Sequence, residues 1–285
     1  MLKCIVCGKE YPEEFNVAND GCSENPNFTT LFSTSIKSFE FPPSPIAEHG
    51  YDGRQVFLKH EDQNPFGSFK DRKSAFLCTQ SHRKFALATC GNQALSLANY
   101  ELNEDVLLYV PSDISYKKLM ALHHFYPKII FADRILTTQE LTEGESDRWN
   151  ITNGMDPIGA SAFYSLAIEL EPYDFKNIIV PMGSGELWAA LAVYFNLLRK
   201  QKVNVIPVRC QLEKADAVKG TFVPVQPFID YFKPEILEFG QEAEHSIELN
   251  SQLYNCDFSS ALVFEAVKHL ELKEKTCLVI TGAKN

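Results

Sequence analysis

The residue types best suited to chemistry are gathered in Asn64-Pro65-Phe66-Gly67-Ser68-Phe69-Lys70-Asp71-Arg72. Asn, Pro and Gly make a turn there, and the following Lys73-Ser74-Ala75-Phe76-Leu77-Cys78 reads as a helix, so Lys70 falls in its first turn. Ser68 can cap that helix, and Asp71 complements the positive end of its dipole. The same field disfavours charge on Lys70, which frees its amine to act as a nucleophile.

Other segments carry residues that could hold a ligand. In Leu87-Ala88-Thr89-Cys90-Gly91-Asn92-Gln93-Ala94 a strand end turns through Gly91 into a helix, and outward-pointing amides there suit a carboxylate. The same residues also suit an ordinary strand–helix turn, with Gly supplying a positive φ and Asn a cap. In Ile178-Ile179-Val180-Pro181-Met182-Gly183-Ser184-Gly185-Glu186-Leu187 the small residues let the backbone approach a phosphate at the start of an apolar helix. A carboxylate about 5 Å from a phosphate, at an effective dielectric near 20, would cost roughly 3 kcal/mol per phosphate charge. Glutamate in a first helical turn is also a favourable surface choice, so Glu186 is expected to face water. Near the carboxyl terminus, Val279-Ile280-Thr281-Gly282-Ala283-Lys284 reads as a strand ending in Thr-Gly.

The run 64–72 resembles the cofactor-lysine motif of threonine synthases, which are fold-type II pyridoxal-phosphate enzymes of the tryptophan synthase β superfamily. The resemblance implies that Lys70 forms the internal aldimine with pyridoxal 5′-phosphate and then acts as general base. It implies substrate contacts from Ser68, Thr89, Cys90, Gly91 and Gln93, and a contact from Asn92 to the cofactor's 3′-hydroxyl. Gly183, Ser184, Gly185, Glu186 and Leu187 would form the phosphate cup, and the Thr281 hydroxyl would meet the pyridine nitrogen. Weaker likenesses are Asp257-Phe258-Ser259-Ser260-Ala261 and Val110-Pro111-Ser112 with Lys117-Lys118-Leu119. The activity implied is that of a lyase or synthase acting on an amino acid by β- or γ-elimination or replacement. Relatives are often dimers, which implies a homodimer.

The chain departs from that pattern in particular places. Glu186 stands where the family has glycine, and the ending lacks the family's second glycine. The stretch Asn153-Gly154-Met155-Asp156-Pro157 has no arginine, and Asp156 adds a carboxylate. Losing a guanidinium and gaining a negative charge favours a neutral or smaller amino acid over a phosphorylated one. These departures also motivate an alternative, a noncatalytic homologue serving as a binding or regulatory protein. Residues 1–30 resemble the small zinc ribbon of some family members, with Cys4, Cys7 and Cys22 as zinc ligands and Asn25 where a fourth cysteine would stand. A decayed ribbon, a three-thiolate zinc site and a metal-free hairpin all remain open.

The elements that must position these residues alternate between strand-like and helix-like, the pattern of an α/β fold. Strands are predicted at 106–110, 128–131, 178–180, 203–208 and 276–281, and helices at 70–83, 92–103, 115–125, 158–170, 185–201 and 258–270. The strand runs are continuously apolar, which favours parallel pairing with both sheet faces covered. The resemblance implies two domains with mostly parallel twisted sheets flanked by helices: 31–85 with 166–285 as the larger, cofactor-binding one, and 86–165 as the smaller, mobile one. Residues 42–60 read as loop-rich, and 133–157 and 209–250 as polar and unassigned.

The 285 residues are 45% hydrophobic, enough for a large core. A net charge of −10 argues against a nucleic-acid or anionic-membrane partner, leaving a small molecule, an amino acid by the resemblance. No apolar stretch approaches the roughly 18 residues of a membrane span. The start is too short and polar for a secretory signal, and the eight scattered cysteines read as reduced thiols, so a soluble cytoplasmic protein is expected.

Overall fold

Continuous apolar runs become the inner strands of parallel sheets. The computed structural model describes residues 1–13, 30–35, 40–80, 83–89, 91–100, 106–126, 128–132, 147–154, 156–212 and 225–284. The chain forms two compact units: Met1–Phe39 with Lys70–Ala162, and Glu40–Phe69 with Phe163–Asn285. Residues 70–85, expected in the larger domain, fall in the first unit.

The first unit begins with β1 (Leu2–Cys4), β2 (Glu10–Tyr11) and β3 (Leu31–Ser33), an antiparallel sheet in the order β2-β1-β3. The helix α1 (Lys70–Cys78) follows, then β6 (Phe85–Ala88), α2 (Asn92–Asn99), β7 (Val106–Pro111), α3 (Tyr116–Phe125), β8 (Ile129–Ala132) and β9 (Trp149–Asn150). Strands β8-β7-β6-β9 pair in parallel throughout. Every residue of β6 and β7 is buried, as sheets covered on both faces require.

The second unit holds β4 (Ile46–Tyr51), β5 (Arg54–His60), β10 (Asn177–Pro181), β11 (Asn204–Cys210), β12 (Leu237–Phe239) and β13 (Thr276–Ile280) in the order β12-β11-β10-β13-β5-β4. All pairings are parallel except the β4–β5 hairpin at one edge. That hairpin corrects the loop-rich reading of 42–60. Asp52 (φ 50°) and Gly53 (φ 70°) make a two-residue turn with both positions left-handed, the geometry that matches strand twist. Each unit has its own apolar core, Leu77, Phe85, Leu97 and Leu108 among the residues of one, Ile179, Val208, Leu262 and Leu278 of the other. The α/β class with mostly parallel sheets thus holds.

Candidate active site

In the second unit the turn that leads to Lys70 is fastened to the end of β13. The Phe69 amide donates to the Thr281 carbonyl (3.0 Å), the Ala283 amide to the Gly67 carbonyl (2.9 Å), and Ser68 pairs with Gly282 in an antiparallel bridge. Gly67 sits at φ +80° and closes on Asn64, whose carbonyl accepts its amide at 2.8 Å. The Asn64 side chain donates to the Ser68 carbonyl (3.1 Å) and to the carboxylate of Glu61 (2.9 Å).

Glu61 is fully buried and also accepts from the Ser44 hydroxyl at 2.5 Å. Beside it the buried ammonium of Lys59 pairs with Glu169 and donates to the Ser44 carbonyl at 2.6 Å. Lys59 and Glu61 went unnoticed in the sequence. A lysine and a glutamate directly after the apolar run Val56-Phe57-Leu58 were the available signal, since buried charges are costly unless paired.

Thr281 is buried, and Ser260 surrounds it. The Ser260 hydroxyl oxygen accepts from the Thr281 amide (3.0 Å) and the Gly282 amide (2.9 Å), and lies 3.0 Å from the Thr281 hydroxyl. The Ser260 amide in turn donates to Asp257, which caps the helix Phe258–His269. A side chain on Gly282 would come within 2.6 Å of the Asp257 carboxylate, so only glycine fits there without displacement.

After β10, Gly183 and Ser184 are half-buried and Gly185 (φ +83°) precedes the helix Glu186–Ala192. Among the described residues the amides of Gly183, Ser184 and Gly185 donate to no carbonyl, so their partial positive charges are available to an anion. A Cβ on Gly185 would lie 2.2 Å from Val225. Leu187 is buried. Glu186 does not face water, contrary to expectation: it is 5% exposed. Every residue of Glu186–Ala192 is buried, and a helix enclosed on all sides has no solvent face to offer.

In the first unit, Lys70 opens α1 and is half-buried, whereas Asp71, Arg72, Lys73 and Ser74 are fully buried. Asp71 accepts from Ser96 (3.0 Å), the Ser96 and Ser74 hydroxyls lie 2.7 Å apart, and the Gln93 amide donates to Ser74 (3.1 Å). This polar chain ties the Lys70 helix to α2 and turns the Gln93 side chain inward. Thr89 accepts the Gly91 amide at 3.0 Å, with Gly91 at φ +114°, and Asn92 is exposed. Cys90 lies outside the described residues.

Asp156 was read as a charge opposing a phosphorylated substrate, and the structure gives it another task. It is buried, accepts from the Trp149 indole (3.1 Å) and caps Pro157–Ala160 through the Gly159 amide (2.8 Å). Lys73 approaches its other oxygen at 3.3 Å and donates to the Ile151 carbonyl at 3.1 Å. The carboxylate is consumed inside the unit.

Comparison with known proteins decides the family. Residues 41–284 match the family described as pyridoxal-phosphate dependent enzyme. The chain belongs to that family. The catabolic L-threonine dehydratase TdcB of Escherichia coli is 32% identical over 153 residues, 49% of this chain and 46% of the relative. The chain thus spans about half the length of the curated relatives it matches. Among solved structures, O-acetylserine dependent cystathionine β-synthase from Helicobacter pylori superposes with a TM-score of 0.68 at 18% identity, covering 85% of this chain and 93% of that one. Threonine deaminase isoform 2 of Solanum lycopersicum gives 0.66 at 16%, covering 84% and 79%. These neighbours have the fold-type II architecture, which this pyridoxal-phosphate family member shares.

The residues present fit the family's cofactor at two points and oppose it at a third. Among the described residues the amides of Gly183–Gly185 donate to no carbonyl and suit its phosphate, and a buried hydroxyl at Thr281 suits its ring nitrogen. The buried carboxylate of Glu186, directly after that turn, is unfavourable to the phosphate. The zinc expectation finds no support. Cys4 is buried and Cys7 exposed in the β1–β2 turn, Cys22 lies outside the described residues, and among the described residues no group of three or more His, Cys, Asp or Glu could hold a metal. Burial works against the Cys4 thiolate, but hydrogen bonds from Cys7, Thr30 and Val6 outweigh it and hold the thiol below its ordinary value. Among the described residues no helix is long and apolar enough to cross a membrane.

Proposed function

We propose that this family member is a lyase that eliminates a small group from Cβ of an amino acid, as the threonine dehydratases do by name. Bound pyridoxal phosphate would supply the electron sink for the pair left at Cα when its proton departs. Lys70 would carry the cofactor and then take the Cα proton on its amine. The observation that carries this reading is the fastening of the Asn64–Phe69 turn to Thr281-Gly282-Ala283, which fixes the main chain up to the residue before Lys70. A general base acts only within hydrogen-bond reach of its proton, so a fixed backbone at that point is a requirement of the chemistry.

The turn Gly183–Gly185 would bind the cofactor phosphate through its amides, and Asn92 would meet the 3′-hydroxyl. Ser68 and the loop Thr89–Gln93, Cys90 and Gly91 included, would orient the substrate carboxylate. Gln93 and the Gly91 amide already have partners within the first unit, which leaves the Thr89 hydroxyl proton and the remaining loop amides for that role. With no arginine in Asn153–Pro157, a substrate with a neutral leaving group suits the chain, such as L-serine or L-threonine.

The test is to add pyridoxal phosphate to the purified protein, record the spectrum, and then offer L-serine and L-threonine. A new absorption band near the edge of the visible, absent in Lys70→Ala, and keto-acid release with either substrate are expected. A protein that stays colourless with added cofactor would overturn the reading; colour without keto acid from any amino acid would point to the noncatalytic alternative.

A further inference from the structure

We infer that Ser260 is a positioning residue that makes Thr281 an obligate hydrogen-bond donor, and so selects a ligand ring with an unprotonated nitrogen. The inference rests on the pyridoxal-phosphate reading above and adds a positioning residue to it.

The argument is one of hydrogen-bond capacity. A serine hydroxyl has one proton and two lone pairs. Both lone pairs of Ser260 are taken, by the amides of Thr281 (3.0 Å) and Gly282 (2.9 Å). Amides only donate, so this assignment has no alternative. The hydroxyl oxygens of Ser260 and Thr281 lie 3.0 Å apart, and one must donate to the other. Ser260 has no lone pair left to accept with, so it donates. Its other candidate acceptor, the Gly282 carbonyl, is at 3.4 Å, beyond the usual range for hydroxyl donors, and already accepts the Asp257 amide at 2.9 Å. Thr281 therefore accepts from Ser260 and keeps its own proton to give.

A hydroxyl locked as a donor discriminates between ligands. It bonds to a pyridine nitrogen that carries a lone pair and loses that bond to a ring with C–H at the same position. A hydrogen bond of ordinary net strength would be worth up to about tenfold in affinity. A ring held unprotonated is a weaker electron sink, which suits elimination at Cβ over chemistry that needs a long-lived carbanion at Cα.

Dissociation constants for pyridoxal phosphate and for its 1-deaza analogue, where C–H replaces the ring nitrogen, test the inference. Both ligands carry the aldehyde and the phosphate, so the Lys70 and Gly183–Gly185 contributions cancel when ratios are compared between variants. The wild-type protein should favour pyridoxal phosphate by about tenfold, and Thr281→Val should remove that preference. Ser260→Ala should shrink the ratio to within about threefold of the Thr281→Val value, and Ser260→Thr, which keeps the hydroxyl, should restore it. If Ser260→Ala does not fold, Ser260→Cys keeps the volume with a weak donor and should shrink the ratio as well. A purely structural role would weaken both ligands equally, and an unchanged ratio in Ser260→Ala or Ser260→Cys overturns the inference. Binding of neither ligand by the wild-type protein overturns the cofactor reading and the inference together, a result distinct from binding without discrimination.

Discussion

Around Thr281 the segments are held by main-chain hydrogen bonds, whereas around Lys73 they are held by side chains with full charges. In the first region Phe69, Ala283 and Asp257 all reach their partners through backbone amides, and the Ser260 hydroxyl accepts two amides more. In the second, Lys73 and Asp156 are wholly buried and meet at 3.3 Å, supported by Trp149 and the Ile151 carbonyl. Main-chain bonds survive most side-chain changes and fail where a side chain is added. A buried ion pair tolerates nothing that removes one partner, because the other is left charged in a medium of low dielectric.

The largest effect should therefore come from splitting the pair. Lys73→Met leaves Asp156 buried without a cation, and unfolding in urea should show a loss of about 3–5 kcal/mol. Asp156→Asn keeps the cap on Pro157–Ala160 but takes the carboxylate charge away from Lys73, and should also destabilise the protein. The double variant should be much less damaged than the sum of the singles, since neither charge remains. Additive losses would mean that the pair contributes no coupling and that the contrast with the Thr281 region is false.

The Thr281 region should break by addition. Gly282→Ala would place a methyl 2.6 Å from Oδ2 of Asp257, whose other oxygen caps the Ser260 amide, so relieving the clash turns the carboxylate and disturbs that cap. A loss of about 1–3 kcal/mol is expected from overpacking and the damaged cap. Gly50 is the control: a Cβ there meets nothing within 4 Å, so Gly50→Ala should leave thermal stability nearly unchanged. Equal effects at the two glycines would remove the close approach of Asp257 as an explanation.

This contrast also separates what was legible in the sequence from what was not. The inner strands were legible, because Asn177–Pro181, Val106–Pro111 and Thr276–Ile280 are apolar on both faces. The helix ends at Phe125, Leu170 and His269 were close to expectation, and two others were not. The helix expected over 70–83 stops at Cys78, and that expected over 185–201 passes into a π-helix over Val193–Leu198. The hairpin Ile46–His60 was missed although Asp52-Gly53 is a strong turn signature, since edge strand β4 has no apolar run. Helices Gln226–Phe232 and Glu244–Leu253 were hidden in a polar stretch.

At the candidate site, Lys70 and the glycine turn could be read from local residue types. The burial of Glu186 could have been, since Leu187-Trp188-Ala189-Ala190-Leu191-Ala192 offers no polar face. Asp156 directly before Pro157, with Gly159 after it, is likewise a visible capping pattern. Its pairing with Lys73 was not legible, because it depends on contacts between distant segments.

A third cluster gives the smallest expected effect and tests whether burial, and not charge alone, sets the scale. Glu171 accepts from Arg199 at 2.7 and 2.8 Å and from the Tyr194 hydroxyl at 2.8 Å, yet Arg199 is exposed. The Arg199 hydrogen bonds, ahead of burial acting in the opposite sense, hold the Glu171 carboxyl below its ordinary value of 4.5. A carboxyl with a depressed folded-state value contributes stability that is fully present above its unfolded value and is lost as the pH falls through the folded one. Solvent and salt screen such a pair, so Glu171→Gln at neutral pH should cost less than either change above. Its signature is the pH profile: the stability of the wild type should fall more steeply below the ordinary carboxylate range than that of Glu171→Gln. Melting curves at stepped pH would show the two converging in acid. Parallel profiles would mean that the Arg199 contact contributes nothing in solution, and a neutral-pH loss as large as that of Lys73→Met would mean that burial is not what separates these clusters.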